Sequence, residues 1–308
     1  MEYLSECPLC KSIKILRYGK KSLTKRYKPE NLIDAEDQFL LERLKRMSLV
    51  RSIYLCRSCY FLFQNPTYDK EDLENLYSDR GPRTIDYYEI VGKSAKDLWS
   101  SSLAQKNLGE RQNRYANAIT TLGGAKILDY GGGSGINLMH PSLKHMKRYV
   151  YDFGRDRITQ GGIISIKNLD VKHRFDFILH THVLEHEPDP QASLKKLRQL
   201  IAPGGFLYLE VPFEYAERIL TRRPGAIWHV NYFNRRTVME IAERTGWLCE
   251  VIKISNLPYS HIFMNCIVAI MRPNLKGLHH NQPVRNVQLG YDMMRSLLAR
   301  MVYPLFRK

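Results

Sequence analysis

A glycine-rich turn directly follows an apolar, strand-like run near the middle of the chain. Asp129 ends that run and is followed by glycines at alternate positions, Gly131, Gly133 and Gly135. Alternating glycines leave backbone N–H groups uncovered, so a ligand can approach closely where the next helix begins. Asp152 ends the next apolar run, 19 residues after Gly133, where a carboxylate can accept hydrogen bonds from ribose hydroxyls. The pattern predicts an α/β fold with a ligand at this turn.

The next segments continue the alternation of strands and helices. Residues 175–179 read as a buried strand, and His-Val-Leu-Glu-His follows at 182–186. We predict a helix from about Pro188 to Ile201, a turn at 202–205 and a strand over 206–212. Strands that alternate with helices are typical of a parallel sheet with helices on its faces.

In combination these motifs resemble class I S-adenosylmethionine-dependent methyltransferases. The resemblance covers roughly Ala125 to Met271 and includes Trp-His-Val-Asn-Tyr-Phe at 228–233. It implies a Rossmann-like sheet with helices on both faces and S-adenosylmethionine as the cofactor. The residues that it implies for cofactor binding are Asp129, Gly131, Gly133, Gly135, Asp152, Phe153 and His180.

Two C-x-x-C pairs in the N-terminal segment predict a structural zinc site. Cys7 and Cys10 form the first pair, and Cys56 and Cys59 form the second. Each pair can present two thiolates from one turn, and two such turns complete a tetrahedral zinc site with no open position. Disulfides are the alternative. A helix is predicted between the pairs, at about residues 34–47.

Three regions follow from these patterns. Residues 1–80 are predicted to form a small zinc-binding module that resembles the zinc-ribbon extension of saccharide and natural-product methyltransferases. Residues 94–272 are predicted to form the methyltransferase domain, which begins with a helix to about Thr121. Residues 273–308 are predicted to form a basic extension with an amphipathic helix over 287–308.

Histidine is the expected general base, because imidazole can accept a proton near pH 7. Ligands of open α/β sheets bind outside the carboxyl ends of the strands, where His180 and His186 are expected. We predict His180 as a cofactor neighbour and His229, or else His186, as the base, because relatives keep a histidine at the position of His229. The H-x-x-E-H spacing at 182–186 also occurs in zinc peptidases, but there it lies within a long helix. Glu185 is expected to brace the turn.

Three functions remain open at this point. O-methylation of a sugar or of a polysaccharide precursor is the leading prediction. Trp228 stands where sugar C-methyltransferases have a glutamate, which disfavours C-methylation. The alternatives are a zinc-containing methyltransferase of ribosomal or transfer RNA and a cofactor-binding scaffold without turnover.

The net charge of +16, from 47 basic and 31 acidic residues among 308, favours anionic partners. We therefore expect a small-molecule or glycan acceptor that is anionic, nucleotide-linked or lipid-linked, with nucleic acid as a weaker alternative. The chain has no run of about 18 apolar residues and no signal-peptide pattern, so a cytoplasmic location is predicted. The C-terminal helix is expected to pack on its own domain or on a partner in a homodimer, with binding to an anionic membrane as the alternative.

Overall fold

A computed structural model describes residues 3–19, 52–69, 72, 102–152, 161–222, 229–259 and 262–275. The predicted helices at 34–47 and 287–308 lie outside these residues, as does the predicted boundary between the first two regions. No helix within the described ranges is long and apolar enough to span a membrane.

The described strands form two sheets. In chain order they are β1 (Ile15–Arg17), β2 (Ser52–Cys56), β3 (Leu62–Asn65), β4 (Lys126–Tyr130), β5 (Lys147–Tyr151), β6 (Ile164–Ser165), β7 (Phe175–Thr181), β8 (Ile201–Pro212), β9 (Asn231–Tyr232), β10 (Trp247–Tyr259) and β11 (Ile262–Pro273). Four helices accompany them: α1 (Ser102–Leu122), α2 (Pro190–Leu200), α3 (Tyr215–Thr221) and α4 (Arg235–Arg244).

The larger sheet has the order β10-β11-β8-β7-β4-β5-β6. Strands β4 to β8 pair in parallel, whereas β11 pairs antiparallel with both β8 and β10. Strand β4 lies between β5 on one side and β7 on the other, so the chain reverses its direction of travel across the sheet at β4. Ligands of such sheets bind outside the carboxyl ends of the strands at this point.

Local sequence explains where the helices around this sheet begin. At α2, the Asp189 carboxylate accepts hydrogen bonds from the backbone N–H groups of Gln191 and Ala192, and Pro190 takes the first helical position. At α4, Asn234 and Thr237 bond reciprocally in a capping box. Caps of this kind satisfy donors that the first turn of a helix leaves without partners.

The sequence-based boundaries needed small corrections. Helix α2 spans Pro190–Leu200, because Asp189 serves as its cap. The turn predicted at 202–205 lies within β8, where the pairing with β7 jumps from Phe175↔Ile201 to Phe177↔Phe206. The glycines form an irregularity within the strand and do not end it, so β8 begins at Ile201, earlier than predicted.

The smaller sheet has the order β1-β2-β3-β9 and is antiparallel throughout. Its first three strands come from the cysteine-containing segment, and β9 comes from the methyltransferase-like region. One hydrophobic core joins the two, with Phe61 and Phe63 of the N-terminal segment in the same buried cluster as Phe233 and Trp247. Helix α1 packs into a second cluster on the other face of the large sheet.

Candidate active site

The glycine turn is packed so tightly that side chains have no room at two of its positions. A Cβ on Gly131 would lie 2.4 Å from Val183 Cγ2, and one on Gly132 would lie 2.2 Å from the Asp129 carboxylate. Gly131 also has a φ of +77°, in the left-handed region that favours glycine. The contact with Val183 holds the turn against the chain that follows β7.

Asp129 lies fully buried at the end of β4 and is the first residue that fits a bound cofactor. Burial raises the pKa of its carboxyl group to about 7, although a hydrogen bond from Asn137 Nδ2 at 3.0 Å opposes this rise. Its Oδ1 atom is buried and has no hydrogen-bond partner among the described residues. A donor from a ligand, above all a cationic ammonium group, would satisfy this oxygen.

Asp152 follows β5 and lies against the same turn. Its Oδ2 accepts a hydrogen bond of 2.6 Å from the backbone N–H of Gly133, whose φ is +60°. The carboxylate predicted to bind ribose hydroxyls is therefore beside the glycines, as the spacing suggested. Gly135, with a φ of +77°, closes the turn, whereas Phe153 lies outside the described residues.

His180 is fully buried in β7, the strand next to β4. Burial lowers the pKa of its imidazole to about 4, so the ring is neutral at pH 7. The ring lies edge-on to Tyr130, with 5.3 Å between the ring centroids. His180 therefore lies one strand away from Asp129, at the carboxyl end of the sheet.

His229 pairs with Glu214, a residue that the sequence did not single out. The His229 Nδ1 atom lies 2.8 Å from Glu214 Oε2, and both side chains are largely buried. Burial disfavours the charged imidazolium, but the carboxylates of Glu214 and Glu185 together outweigh it, so the pKa of His229 is raised above its usual value. With Nδ1–H donating to Glu214, the Nε2 atom is left as a proton acceptor.

A second carboxylate, that of Glu185, lies among three histidines. Its Oε1 atom is 3.6 Å from His182 Nδ1 and 3.6 Å from His186 Nε2. The His186 and His229 rings meet edge to face with centroids 4.9 Å apart. Burial would raise the pKa of Glu185, but the adjacent histidines, His186 foremost, lower it to about 2. The side chain holds a negative charge at this cluster.

The sequence assigned Glu185 the role of bracing the turn, and its side chain does lie between His182 and His186 of that turn, while its backbone holds the segment that follows His229. The Glu185 carbonyl accepts hydrogen bonds from the N–H groups of Val230 and Asn231, at 2.8 and 3.0 Å. Residues 182–186 form a turn between β7 and α2, unlike the long helix of zinc peptidases. Ligand atoms of Glu185, His186 and His229 lie within 4.8 Å of one another, close enough to share a metal ion.

Glu210 of β8 links the histidine cluster to α1. Its carboxylate accepts hydrogen bonds from Tyr208 at 3.1 Å, Tyr115 at 3.3 Å and Arg114 at 3.2 Å. His182 Nε2 lies 3.0 Å from Glu210 Oε1. Sequence patterns missed this network, because its members come from three separate elements and share no motif.

The four predicted cysteine ligands converge at one point. The sulfur atoms are 3.7 Å apart for Cys7 and Cys59 and 3.5 Å apart for Cys10 and Cys56, and none of these cysteines is in a disulfide. Ligands on a tetrahedral zinc with bonds of about 2.3 Å would be about 3.8 Å apart, so the spacing fits. The hydrogen bond between Cys7 and Cys59 lowers the pKa of Cys7 and raises that of Cys59, so one proton is shared between the two thiols.

Residues 107–250 match a family model described as a methyltransferase domain. The chain is 26% identical over 141 residues to the ubiquinone biosynthesis O-methyltransferase of Thiobacillus denitrificans and 30% identical over 146 residues to that of Coxiella burnetii. These matches cover 40% and 41% of the chain, and the chain spans only 60% and 62% of these relatives.

The solved structure of magnesium protoporphyrin IX methyltransferase from Synechocystis PCC 6803, with bound SAH, matches at 13% identity. It has a TM-score of 0.41, and the match covers 58% of this chain and 93% of that one. The chain has the mixed α/β sheet of a Rossmann-like fold, and residues 107–250 are similar to a methyltransferase domain.

Proposed function

We propose that the protein transfers a methyl group from S-adenosylmethionine to a hydroxyl group, with His229 as the general base. The observation that carries this proposal is the hydrogen bond between the His229 ring and the Glu214 carboxylate. Glu214 follows the end of β8. A buried carboxylate that accepts the Nδ1–H of an imidazole orients the ring with Nε2 as its proton-accepting nitrogen.

The residues of the glycine turn fit the proposed cofactor. S-adenosylmethionine, when bound, supplies an electrophilic methyl group on a cationic sulfonium. Asp129 offers a buried oxygen without a partner to a cation, and Asp152 offers a carboxylate beside Gly133. Gly131, Gly133 and Gly135 have positive φ angles that shape the turn at the carboxyl end of β4, where the ligand is proposed to bind with His180 at its border.

Glu214 is proposed as a positioning residue for the base. It keeps the proton on Nδ1 of His229 and stabilises the imidazolium that forms when Nε2 takes the acceptor proton. His186, whose ring lies against that of His229, is the alternative base. The carboxylate of Glu185 adds a negative potential that would stabilise a positive charge on either ring.

The zinc site is proposed to be structural. Four sulfur ligands leave no open coordination position, so the metal would fold the N-terminal module and would not activate water. The cysteines lie outside the residues matched by the family model, which begins at residue 107.

The proposed acceptor class follows from the charge and the composition of the chain. We keep an anionic sugar or glycan precursor as the acceptor class, on the grounds of the net charge and the cysteine module. The curated relatives are named for ubiquinone biosynthesis and give no support to a saccharide. A hydroxyl group of a ubiquinone precursor is therefore the second candidate.

A panel of acceptors tests the proposal directly. The full-length protein would be incubated with labelled S-adenosylmethionine and nucleotide sugars, lipid-linked glycans, catechols or ribosomal RNA, and products would be located by mass spectrometry. We expect a methyl ether on one acceptor class and its loss in His229→Ala. Methylation at carbon or nitrogen would refute the proposed hydroxyl acceptor.

A further inference from the structure

The segment that carries His229 is built into the sheet of the cysteine module. Strand β9 begins two residues after His229 and pairs with β3 through Leu62↔Tyr232 and Phe63↔Asn231. Strand β3 follows the second pair of cysteines directly in sequence. The proposed base thus lies at the point where the methyltransferase domain adds a strand to the N-terminal module.

Gln64 of β3 makes the hydrogen bonds that surround His229. Its backbone N–H donates to the Val230 carbonyl at 2.7 Å. Its side-chain Nε2 donates to the His229 carbonyl at 2.6 Å and to the Tyr232 hydroxyl at 2.5 Å. Gln64 is fully buried, so these bonds are shielded from competition with water.

The opposite side of the same segment is held by the turn after β7. Asn231 Nδ2 donates to the carbonyls of Leu184 at 3.2 Å and Glu187 at 2.6 Å. The Glu185 carbonyl accepts hydrogen bonds from the backbone N–H groups of Val230 and Asn231. The backbone around His229 is therefore fixed from two sides, by the module and by the cofactor-binding domain.

We propose that Gln64 is a positioning residue and that the cysteine module is a working part of the active site. Its amide fixes the backbone of His229, so that the ring keeps its bond to Glu214 and its contact with His186. This inference rests on the proposed role of His229 as base. Misplacement of a reacting group by about 1 Å can cost about 100-fold in rate, so a single backbone contact is enough to matter.

The test replaces Gln64 with methionine, whose side chain has a similar size but no N–H donor. The backbone N–H of residue 64 is kept. Ser52→Ala is the matched control, because Ser52 is buried in the same sheet and its hydroxyl bonds to Gly19, away from His229. Full-length protein labelled with ¹⁵N-histidine would be titrated by NMR, with His229→Ala used to assign the signal. No acceptor is needed for this measurement.

In the wild type we expect the Nδ1–H tautomer of His229 and a pKa above 6.5. In Gln64→Met the tautomer should become mixed and the pKa should fall, because the ring loses its fixed distance to Glu214 while it remains partly buried. Zinc content and affinity for S-adenosylhomocysteine should match the wild type. Ser52→Ala should leave the tautomer and the pKa of His229 unchanged.

Activity then separates this inference from the proposed function. Once an acceptor is found, Gln64→Met should lower kcat by about 10-fold to 100-fold, with little change in the KM for S-adenosylmethionine. If His229→Ala loses turnover while Gln64→Met keeps the wild-type rate, tautomer and pKa, the positioning role is refuted alone. If His229→Ala keeps turnover, the proposed base is wrong.

A second variant covers failure of Gln64→Met to fold. Gln64→Asn keeps the amide but is shorter by one methylene, so it cannot reach the His229 carbonyl from the same backbone position. We expect the same fall in the pKa of His229 in this variant. A wild-type titration in folded Gln64→Asn would overturn the inference.

Discussion

The two halves of the proposed site differ in how the chain encodes them. The cofactor half is local: Asp129 and three glycines lie within seven residues, and Asp152 comes directly after the next strand, β5. The proton-transfer half is assembled from distant segments, with Gln64 contacting a residue 165 positions away. Local motifs can be recognised from residue type and spacing, whereas assembled contacts depend on the whole fold.

The cysteine module combines local motifs, the two cysteine pairs, with the distant contact between Gln64 and His229. Removal of its zinc should have the largest effect. We expect one zinc ion per chain, held by Cys7, Cys10, Cys56 and Cys59, and loss of that ion in Cys56→Ser. Structural zinc contributes roughly 10 to 16 kcal/mol of apparent binding free energy in small modules, so β1 to β3 should unfold first. Metal analysis and hydrogen exchange would measure both results.

Cys249→Ser is the control, because Cys249 lies in β10, away from the cluster. Absence of zinc in protein purified without chelator, or full zinc content in Cys56→Ser, would rule out the site. If the zinc is lost and His229 keeps its wild-type NMR titration, the two regions are independent. The placement of His229 would then not depend on the cysteine module.

Loss of the proposed base comes next in size. His229→Ala should lower turnover by about 100-fold to 10,000-fold, the usual contribution of general acid or base catalysis. Binding of S-adenosylhomocysteine, measured by calorimetry, should remain close to the wild-type value, because His229 lies outside the glycine turn. The two halves of the site would then be separable.

His186→Ala is the companion variant, because its ring contacts that of His229. If His229→Ala keeps most of the wild-type rate and His186→Ala does not, the base is His186. If both variants remain active, histidine base catalysis is wrong, and positioning of the acceptor alone accounts for the rate.

Much of the fold and the cofactor half could be predicted from the sequence. The glycine spacing, the His-Val-Leu-Glu-His segment and the paired cysteines each depend on residues that are close in the chain. Glu214 could not be predicted, because it precedes a seven-residue helix and its partner lies 15 residues further on. The ion pairs of Glu185 with His182 and His186 could not be predicted in detail, because spacing alone does not show which side chains will surround a carboxylate.

The cofactor half is tested by variants within the glycine turn. Gly133→Val should prevent binding, because Gly133 has a φ of +60° that a β-branched residue strongly disfavours. Asp152→Ala should weaken binding by roughly 10-fold to 100-fold, the range for one or two hydrogen bonds to a charged group. Turnover of bound cofactor should change less than affinity.

Titration calorimetry with S-adenosylmethionine gives the affinities. Asp170→Ala serves as the control, because Asp170 is an exposed carboxylate that pairs with His173 away from the turn. Undiminished affinity in both Gly133→Val and Asp152→Ala would refute the assignment of the cofactor site.

The smallest effect is expected when the contact between Glu214 and His229 is weakened. Glu214→Gln keeps the size of the side chain and a hydrogen-bond acceptor but removes its charge. The carboxylate raises the pKa of His229, and burial opposes that rise. The pKa should therefore fall in the variant.

The sign of the pH effect follows from the role of a base. His229 must be neutral to accept a proton, so turnover rises as pH increases through its pKa. A lower pKa in Glu214→Gln moves this rise to lower pH, while the maximal rate falls because the neutral amide stabilises the imidazolium less. The kcat profile from pH 5 to 9 measures both changes. Glu217→Gln is the control, because Glu217 lies in the helix that follows Glu214 and pairs with Arg218. An unchanged acid limb in Glu214→Gln would show that Glu214 does not set the charge of the base, and His229 would then depend on backbone placement alone.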